Sequence, residues 1–285
     1  MTVLPYLMTF EDIVRRALLE DIGRGGDLTT DAIVSDRDTA TASIVARKSG
    51  RIAGLEVARL AFHLLDPQVK FEILLADGLD AENGDMLAII KGPARPILTG
   101  ERTALNFLGR LSGVATVTRD VVARVAPHRT RVVCTRKTTP GMRLLEKYAV
   151  RAGGGSNHRF GLDDAVLIKD NHIVASGGDV GEAIRRVRRN VGHMVKVEVE
   201  VDTLEQLEIA LKENIDAVLL DNMDVPTLRE AVSAVNNKAL TEASGGITPD
   251  TAADIASTGV DLMSIGWLTH SAPALDVSLD FSFKI

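Results

Sequence analysis

The chain has 285 residues, 45% of them hydrophobic and 25% charged, with a formal net charge of -6. That composition is globular and sufficient for one large core or two unequal domains, and its acidity argues against a broad nucleic-acid-binding surface. The single cysteine, Cys134, excludes an intrachain disulfide, and no apolar run reaches membrane-spanning length, so a soluble protein of a reducing compartment, the cytoplasm, is expected.

The apolar stretch from Val3 to Phe10 lacks a cationic start, contains Pro5 and is interrupted by Glu11 and Asp12, which makes it a poor signal peptide. Residues 9–19 place Phe10, Ile13, Val14, Ala17 and Leu18 on one helical face, with Thr9 as N-cap. Gly23-Arg24-Gly25-Gly26-Asp27 ends that helix, and Leu28-Thr29-Thr30 reads as a loop. Between residues 40 and 98, alternating segments at 41–47, 69–75 and 85–91 are separated by Gly50-Arg51, Gly54 and an Asn83-Gly84 turn, with a helix over 56–65. This predicts a small domain of helices over an antiparallel sheet. Residues 99–109 and 115–125 read as two helices, with a domain boundary near Ser112-Gly113, so the expected domains are 1-113 and 114-274.

After Pro127 the pattern becomes strand, loop, helix, repeated. The strands fall at 131–135, 165–169, 194–201, 217–221, 240–244 and 262–265, with helices such as 204–214 and 226–235 between them. Alternation of this kind predicts a parallel sheet, closed into a barrel whose strand carboxyl ends build the active site. Those ends carry Arg136-Lys137, Lys169-Asp170, Glu200, Asp221, Ser244-Gly245-Gly246 and Ser264 with Gly266. Parity in Lys196-Val197-Glu198-Val199-Glu200 puts the valines on one face and the charges on the other. Lys196 is therefore expected to point inward as partner to Glu198 or Glu242, leaving Glu200 at the mouth.

The segment from Cys134 to His172 gathers Arg136, Lys137, Arg143, Lys147, Arg151, Arg159 and Lys169, with His158 and His172 beside them. A dense cationic region in an acidic chain suits a pocket for a small polyanion. Arg143, Lys147 and Arg151, four apart on a predicted helix, read equally well as a solvated face. Cys134, in an apolar run, is a core residue rather than a nucleophile. Glu200 and Asp221 at neighbouring strand ends suit one divalent cation, Mg²⁺ by its preference for carboxylate, water and phosphate, with ordinary ion pairing as the alternative. Ser244-Gly245-Gly246, followed by Thr248-Pro249 as a helix start, and Ser264-Ile265-Gly266 offer backbone N–H groups to phosphate. A phosphorylated sugar would use the turns and the acids. The cationic wall would take a second anion, a carboxylate by arginine's bidentate geometry.

Several motifs resemble those of the quinolinate phosphoribosyltransferase family, carboxylating nicotinate-nucleotide pyrophosphorylases. They are Glu20-Asp21-Ile22-Gly23 with Gly26-Asp27-Leu28-Thr29, Glu101-Arg102-Thr103-Ala104-Leu105-Asn106, and Thr135-Arg136-Lys137-Thr138 with Pro140-Gly141. Gly153-Gly154-Gly155 with Asn157-His158-Arg159, Ile168-Lys169-Asp170-Asn171-His172 and Glu198-Val199-Glu200 follow. Leu220-Asp221-Asn222, Glu242-Ala243-Ser244-Gly245-Gly246, and Ser264-Ile265-Gly266 with His270 complete the set. They cover nearly the full chain; an extra glycine in Gly23-Arg24-Gly25-Gly26-Asp27 is the one departure noted.

The resemblance implies an N-terminal α/β sandwich with an antiparallel sheet, a C-terminal open or incomplete TIM-like α/β barrel, and a tail at about 275–285 returning to the sandwich. It implies phosphoribosyl transfer from phosphoribosyl pyrophosphate to quinolinate with loss of CO₂, in NAD biosynthesis. By position, Arg136, Lys137, His158, Arg159 and Lys169 would bind quinolinate, with Arg102 reaching it from the partner of a homodimer. Glu200 and Asp221 would hold Mg²⁺ and the ribose side, and Ser244, Gly245, Gly246, Ser264, Gly266 and His270 the 5′-phosphate. Lys137, Lys169, Glu200 and Asp221 are the candidate catalytic residues. Two rival readings are a molybdenum-transport-associated homologue, whose members differ around Ile168-Lys169-Asp170-Asn171-His172, and a Schiff-base aldolase using Lys169, which leaves the phosphate turns and the acid pair only partly used.

Overall fold

The computed structural model describes residues 5–284, so Val3, Leu4 and Ile285 lie outside the described residues. In chain order the helices are α1 (Glu11–Ile22), α2 (Leu28–Ile33), α3 (Leu55–Leu65), α4 (Ala94–Val125), α5 (Arg143–Ala152), α6 (Asp170–Ala175), α7 (Val180–Asn190), α8 (Leu204–Ala210), α9 (Val225–Val235), α10 (Ala252–Ala256) and α11 (Trp267–His270). The strands are β1 (Thr39–Ala46), β2 (Gly50–Arg51), β3 (Lys70–Ile73), β4 (Asp80–Ala81), β5 (Met86–Pro93), β6 (Arg131–Val133), β7 (Val166–Ile168), β8 (Val197–Val201), β9 (Ala217–Asp221), β10 (Leu240–Ser244), β11 (Leu262–Ser264) and β12 (Val277–Lys284). They form two compact units, one of Met1–Arg119, Thr138–Gly154 and Leu268–Ile285, the other of Asp120–Lys137 and Gly155–Trp267.

The first unit is built on an antiparallel sheet of order β12-β1-β5-β3. Ala40, Ala42, Ile44 and Ala46 are buried at every second position of β1, and the apolar residues of α3, among them Val57, Leu60, Ala61 and Phe62, are buried as well. In α1, Val14 and Leu18 are buried, as is Phe10 just before the helix. Its N-cap position is Phe10 without a side-chain cap; the Thr9 hydroxyl donates to Tyr6 O instead. The predicted loop at Leu28-Thr29-Thr30 is the start of α2, because the Asp27 carboxylate accepts the Thr30 N–H at 3.0 Å and caps a turn. Thr99 does not begin a helix: its hydroxyl donates to the same Asp27 side chain at 2.9 Å from within α4.

The two helices expected at 99–109 and 115–125 are one helix of 32 residues, with Ser112-Gly113 inside it. Its serine and glycines serve packing. Ser112 Oγ accepts the Ala53 N–H at 3.0 Å. A Cβ on Gly113 would lie 2.0 Å from Pro273 O, so only glycine lets residues 273–275 run along the helix. Of the three cations on α5 that could have formed a solvated face, Arg151 is exposed and Arg143 half-buried, but Lys147 is not on such a face. Lys147 and Glu146 are fully buried, and Glu146 accepts from Arg110 Nη2 at 2.7 Å and from Thr139 N and Oγ1 at 3.0 and 2.8 Å. Arg110 also donates to Thr269 O and Ala272 O.

The second unit is a parallel sheet of order β6-β11-β10-β9-β8-β7. β6 and β7 are its edges and do not pair, so the barrel is open, as the family resemblance implied and the strand count alone did not. The edge of β6 is instead satisfied by Ser156, which donates N–H to Val132 O at 2.8 Å and accepts Cys134 N–H at 3.2 Å. Cys134 itself is buried. In β8, Val197, Val199 and Val201 are completely buried, with α7 and α8 packed on the strand, and Glu198 and Glu200 occupy the opposite face. Lys196 does not join them. It precedes the strand, its side chain is 77% exposed, and it pairs with Asp216 at 2.6 Å. The parity argument held within β8 and failed one residue before it. No helix among the described residues is long and apolar enough to cross a membrane.

Candidate active site

The carboxyl ends of the six parallel strands converge on one cavity of about 370 Å³ lined by Thr135, Arg136, Lys137, His158, Arg159, Leu167, Lys169, Glu200, Leu219, Asp221, Glu242, Ser244 and Ser264. Each charged group arrives there at or just beyond the carboxyl end of a short strand. β6 delivers Arg136 and Lys137, β7 delivers Lys169, and β8 and β9 carry Glu200 and Asp221 on their last turns of pleat. Of the residues expected from sequence to form the site, Arg136, Lys137, His158, Arg159, Lys169, Glu200, Asp221, Ser244 and Ser264 meet at this mouth.

Lys169 Nζ lies 3.2 Å from Glu200 Oε2. Burial pushes the Glu200 carboxyl up, Lys169 opposes that shift, and the charges of Asp221 and Asp170 add to it. Lys169 is also the residue before α6, where its N–H donates to His172 Nδ1 at 2.9 Å, so the strand end is held rigidly. On the other wall, Arg159 Nη1 donates to Ala165 O at 2.8 Å. Burial first, then the neighbouring Arg136 charge, pulls its guanidinium below the ordinary arginine value, while Glu198 and Asp164 support the cation. Two adjacent arginines in a partly buried wall favour an incoming anion.

The loop after β10 has Gly245 at φ 93° and Gly246 at φ 58°. A Cβ on Gly245 would lie 2.1 Å from Asn222 Oδ1. Asn222, itself at φ 53°, donates Nδ2–H to Asp221 Oδ2 at 2.6 Å and N–H to Ser244 O at 2.9 Å. The glycine therefore gives space to the residue that orients Asp221. At the expected helix start, Thr248 Oγ1 accepts the Thr251 N–H at 3.3 Å and Thr248 O the Ala252 N–H at 3.1 Å, a turn that leads into α10 at Ala252. Gly266 follows β11, directly before α11.

Arg102 and His270 belong to the other compact unit. Arg102 is exposed on α4 and lines, with Glu20, Asp21 and Asn106, a cavity of about 330 Å³ within that unit. His270 is exposed at the end of α11 and its Nδ1 lies 2.6 Å from Ser271 Oγ. Sequence reasoning missed the group behind the cationic wall. His158 Nε2 lies 2.9 Å from Glu198 Oε2 and 3.6 Å from Glu242 Oε1, with Glu242 almost wholly buried. The signal was there in the inward parity of Glu198; the partner assigned to it, Lys196, was the wrong one.

Comparison with known proteins agrees with this geometry. Residues 27–112 match the model of the quinolinate phosphoribosyl transferase N-terminal domain and residues 114–280 that of its C-terminal domain. The probable nicotinate-nucleotide pyrophosphorylase [carboxylating] of Bacillus subtilis is 44% identical over 277 residues, covering 97% of this chain and 95% of that protein. The nicotinate-nucleotide pyrophosphorylase [carboxylating] of Mycobacterium leprae is 44% identical over 274 residues, 94% of this chain and 96% of that one. The crystal structure of NadC from Streptococcus pyogenes superposes with a TM-score of 0.95 at 39% identity, covering 99% of this chain and 100% of that chain. The nicotinate-nucleotide pyrophosphorylase of Francisella tularensis gives a TM-score of 0.93 at 38% identity, covering 99% and 98%. With both domain models matched in order and the strand-end residues gathered at one mouth, the chain belongs to the quinolinate phosphoribosyltransferase family.

Proposed function

We propose that the protein transfers the phosphoribosyl group of phosphoribosyl pyrophosphate to the ring nitrogen of quinolinate and releases the 2-carboxylate as CO₂, yielding nicotinate mononucleotide and pyrophosphate in de novo NAD biosynthesis. The observation that carries this is the convergence on one cavity of Arg136, Lys137, Arg159 and Lys169 with Glu200 and Asp221. A planar dicarboxylate fits the cationic wall, with bidentate pairing to arginine. The donor's ribose lies toward the carboxylates and its 5′-phosphate toward Ser244, Gly245, Gly246, Ser264 and Gly266, with His270 as a further phosphate ligand.

Glu200 and Asp221 suit a divalent cation. They lie near the ends of adjacent strands, and the Glu200 carboxyl, raised by burial first and to a smaller extent by the Asp221 charge, is one a cation would stabilise. Mg²⁺ held there would supply positive charge to the departing pyrophosphate. The rest falls to the chain's own groups. The cationic wall fixes the pyridine ring so that its nitrogen lone pair faces the ribose carbon. Glu200 and Asp221 stabilise the positive charge that develops on that ribose as the carbon–oxygen bond breaks. After transfer the ring nitrogen is cationic. The bond from ring to 2-carboxylate then breaks, CO₂ leaves, the electron pair stays on the ring beside that cation, and a proton replaces it. Lys137 and Lys169 offset the substrate's carboxylate charge through this sequence. Arg102 is assigned to the same substrate from the partner subunit of a cytoplasmic homodimer.

Incubation of the protein with quinolinate, phosphoribosyl pyrophosphate and Mg²⁺ should release CO₂ and nicotinate mononucleotide in equal amounts. No CO₂ above a boiled control, with both substrates present, would remove the reading. Borohydride trapping of a carbonyl substrate on Lys169 would instead support an aldolase.

A further inference from the structure

Behind the cationic wall, His158 Nε2 and carboxylate oxygens of Glu198 and Glu242 lie within 4.8 Å of one another. Glu242 is 1% exposed and Glu198 8%, and Oε1 of each has no hydrogen-bond partner among the described residues. The spacing suits a metal ion. The hydrogen bonds on the ring do not. The backbone N–H of Arg159 donates to His158 Nδ1 at 2.8 Å. Nδ1 is therefore an acceptor, and the proton of the neutral ring sits on Nε2, aimed at Glu198 Oε2 at 2.9 Å. A metal on Nε2 would move that proton to Nδ1, where it would meet the Arg159 N–H head on.

We infer that Glu198 is a positioning residue: through the fixed Nε2–H tautomer of His158 it holds the backbone of Arg159, and so sets where the Arg159 guanidinium meets the anionic substrate. Arg159 is then clamped at both ends, its main chain by the Glu198–His158 pair and its guanidinium by Ala165 O at 2.8 Å. A clamp is needed because Arg136 stands beside it as a like charge. Without one the two guanidiniums separate and no longer match one carboxylate. It follows that His158 lines the cavity with both ring nitrogens committed internally and gives the substrate no N–H. Glu242, 3.6 Å from Nε2, closes the far side of the ring.

This inference rests on the proposed substrate only for its kinetic arm, so it is tested twice. In the wild-type protein without substrates, ¹⁵N spectra of His158, assigned by its loss in His158→Asn, should show the neutral Nε2–H tautomer. An Nδ1–H or doubly protonated pattern overturns the inference whatever the protein catalyses. In kinetics, Glu198→Ala should raise KM for quinolinate about tenfold, as one lost charged hydrogen bond does, while kcat and KM for phosphoribosyl pyrophosphate change less than about threefold. Glu198→Gln keeps an acceptor for Nε2–H and should stay within about threefold of wild type. Unchanged KM in Glu198→Ala, an equal loss for both substrates, or failure of Glu198→Gln to rescue overturns it. Should Glu198→Ala not fold, the spectra still decide. A wild-type protein inactive on quinolinate defeats the proposed function alone.

Discussion

Lys169 Nζ and Glu200 Oε2 form an ion pair at 3.2 Å between the ends of the neighbouring strands β7 and β8. The cation assigned to the acceptor substrate thus rests on the carboxylate assigned to the metal and donor. Glu200→Gln frees Lys169 and halves the acid pair. Turnover should fall by about two to three orders of magnitude, the scale of losing one electrostatic contact to the transition state. Binding of quinolinate alone, followed by calorimetry without metal, should not weaken. Weakened binding with intact turnover would reverse the two assignments.

Arg159 sits in a partly buried wall beside Arg136. Removing it with Arg159→Ala should reduce quinolinate affinity by about 1.5–3 kcal/mol, the range for hydrogen bonds to a charged group, or roughly ten- to a hundredfold. Steady-state kinetics with quinolinate varied would detect this as a rise in KM. Kinetics identical to wild type would take Arg159 out of the site.

Gly245 gives space to Asn222. Gly245→Ala forces a Cβ to 2.1 Å from Asn222 Oδ1 at a backbone φ of 93°, so either Asn222 or the loop must move. The cost of the backbone alone is about 1–2 kcal/mol. The expected result is a raised KM for phosphoribosyl pyrophosphate with little change for quinolinate. Gly246, with φ 58° but open space around its Cβ position, should tolerate Asn better than Gly245 does.

Burial, then the Glu198 charge, pushes the Glu242 carboxyl from 4.5 up to about 7, with His158 opposing. Between those values the folded protein keeps a proton that the unfolded chain releases, so this group's contribution to stability falls as pH rises through that window. Glu242→Gln removes the dependence. Urea midpoints measured from pH 4.5 to 8 should therefore converge toward, or cross in favour of, the variant at the alkaline end. Parallel curves for the two proteins would mean that Glu242 titrates normally.

Glu146 is fully buried and receives Arg110 and both the N–H and hydroxyl of Thr139. Glu146→Ala leaves Arg110 without its carboxylate and should cost about 3–5 kcal/mol of stability, read as a lowered urea midpoint.

Much of the site was legible because strand ends are visible in sequence. A short apolar run followed by Arg136-Lys137, Lys169 or Asp221 announces both a strand and what it delivers, and the structure brings those residues to one cavity. What misled was local. Thr9 looks like an N-cap and residue 99 like a helix start, yet the Thr9 hydroxyl bonds the nearby Tyr6 O and the Thr99 hydroxyl bonds the distant Asp27 from within α4, because competing acceptors outweigh capping preference. Ser112-Gly113 looks like a break, yet both lie inside α4, where small residues admit a crossing chain. Lys196 shares the parity of Glu198, but parity has meaning only inside a strand, and β8 begins at Val197. The closed barrel failed for a topological reason: Ser156 satisfies the edge of β6 from a loop that periodicity does not reveal.

The pairing of β1 with β12, from Thr39↔Lys284 to Ala46↔Val277, has a consequence for biosynthesis. A ribosome makes β1 before, and β12 after, every other strand described. All six strands of the parallel sheet have emerged by Ser264, so that unit can be complete while the antiparallel sheet still lacks its outer strand. Folding during translation therefore runs against chain order, and β1 waits with one open edge for most of synthesis, the interval in which nascent chains most need shielding from one another.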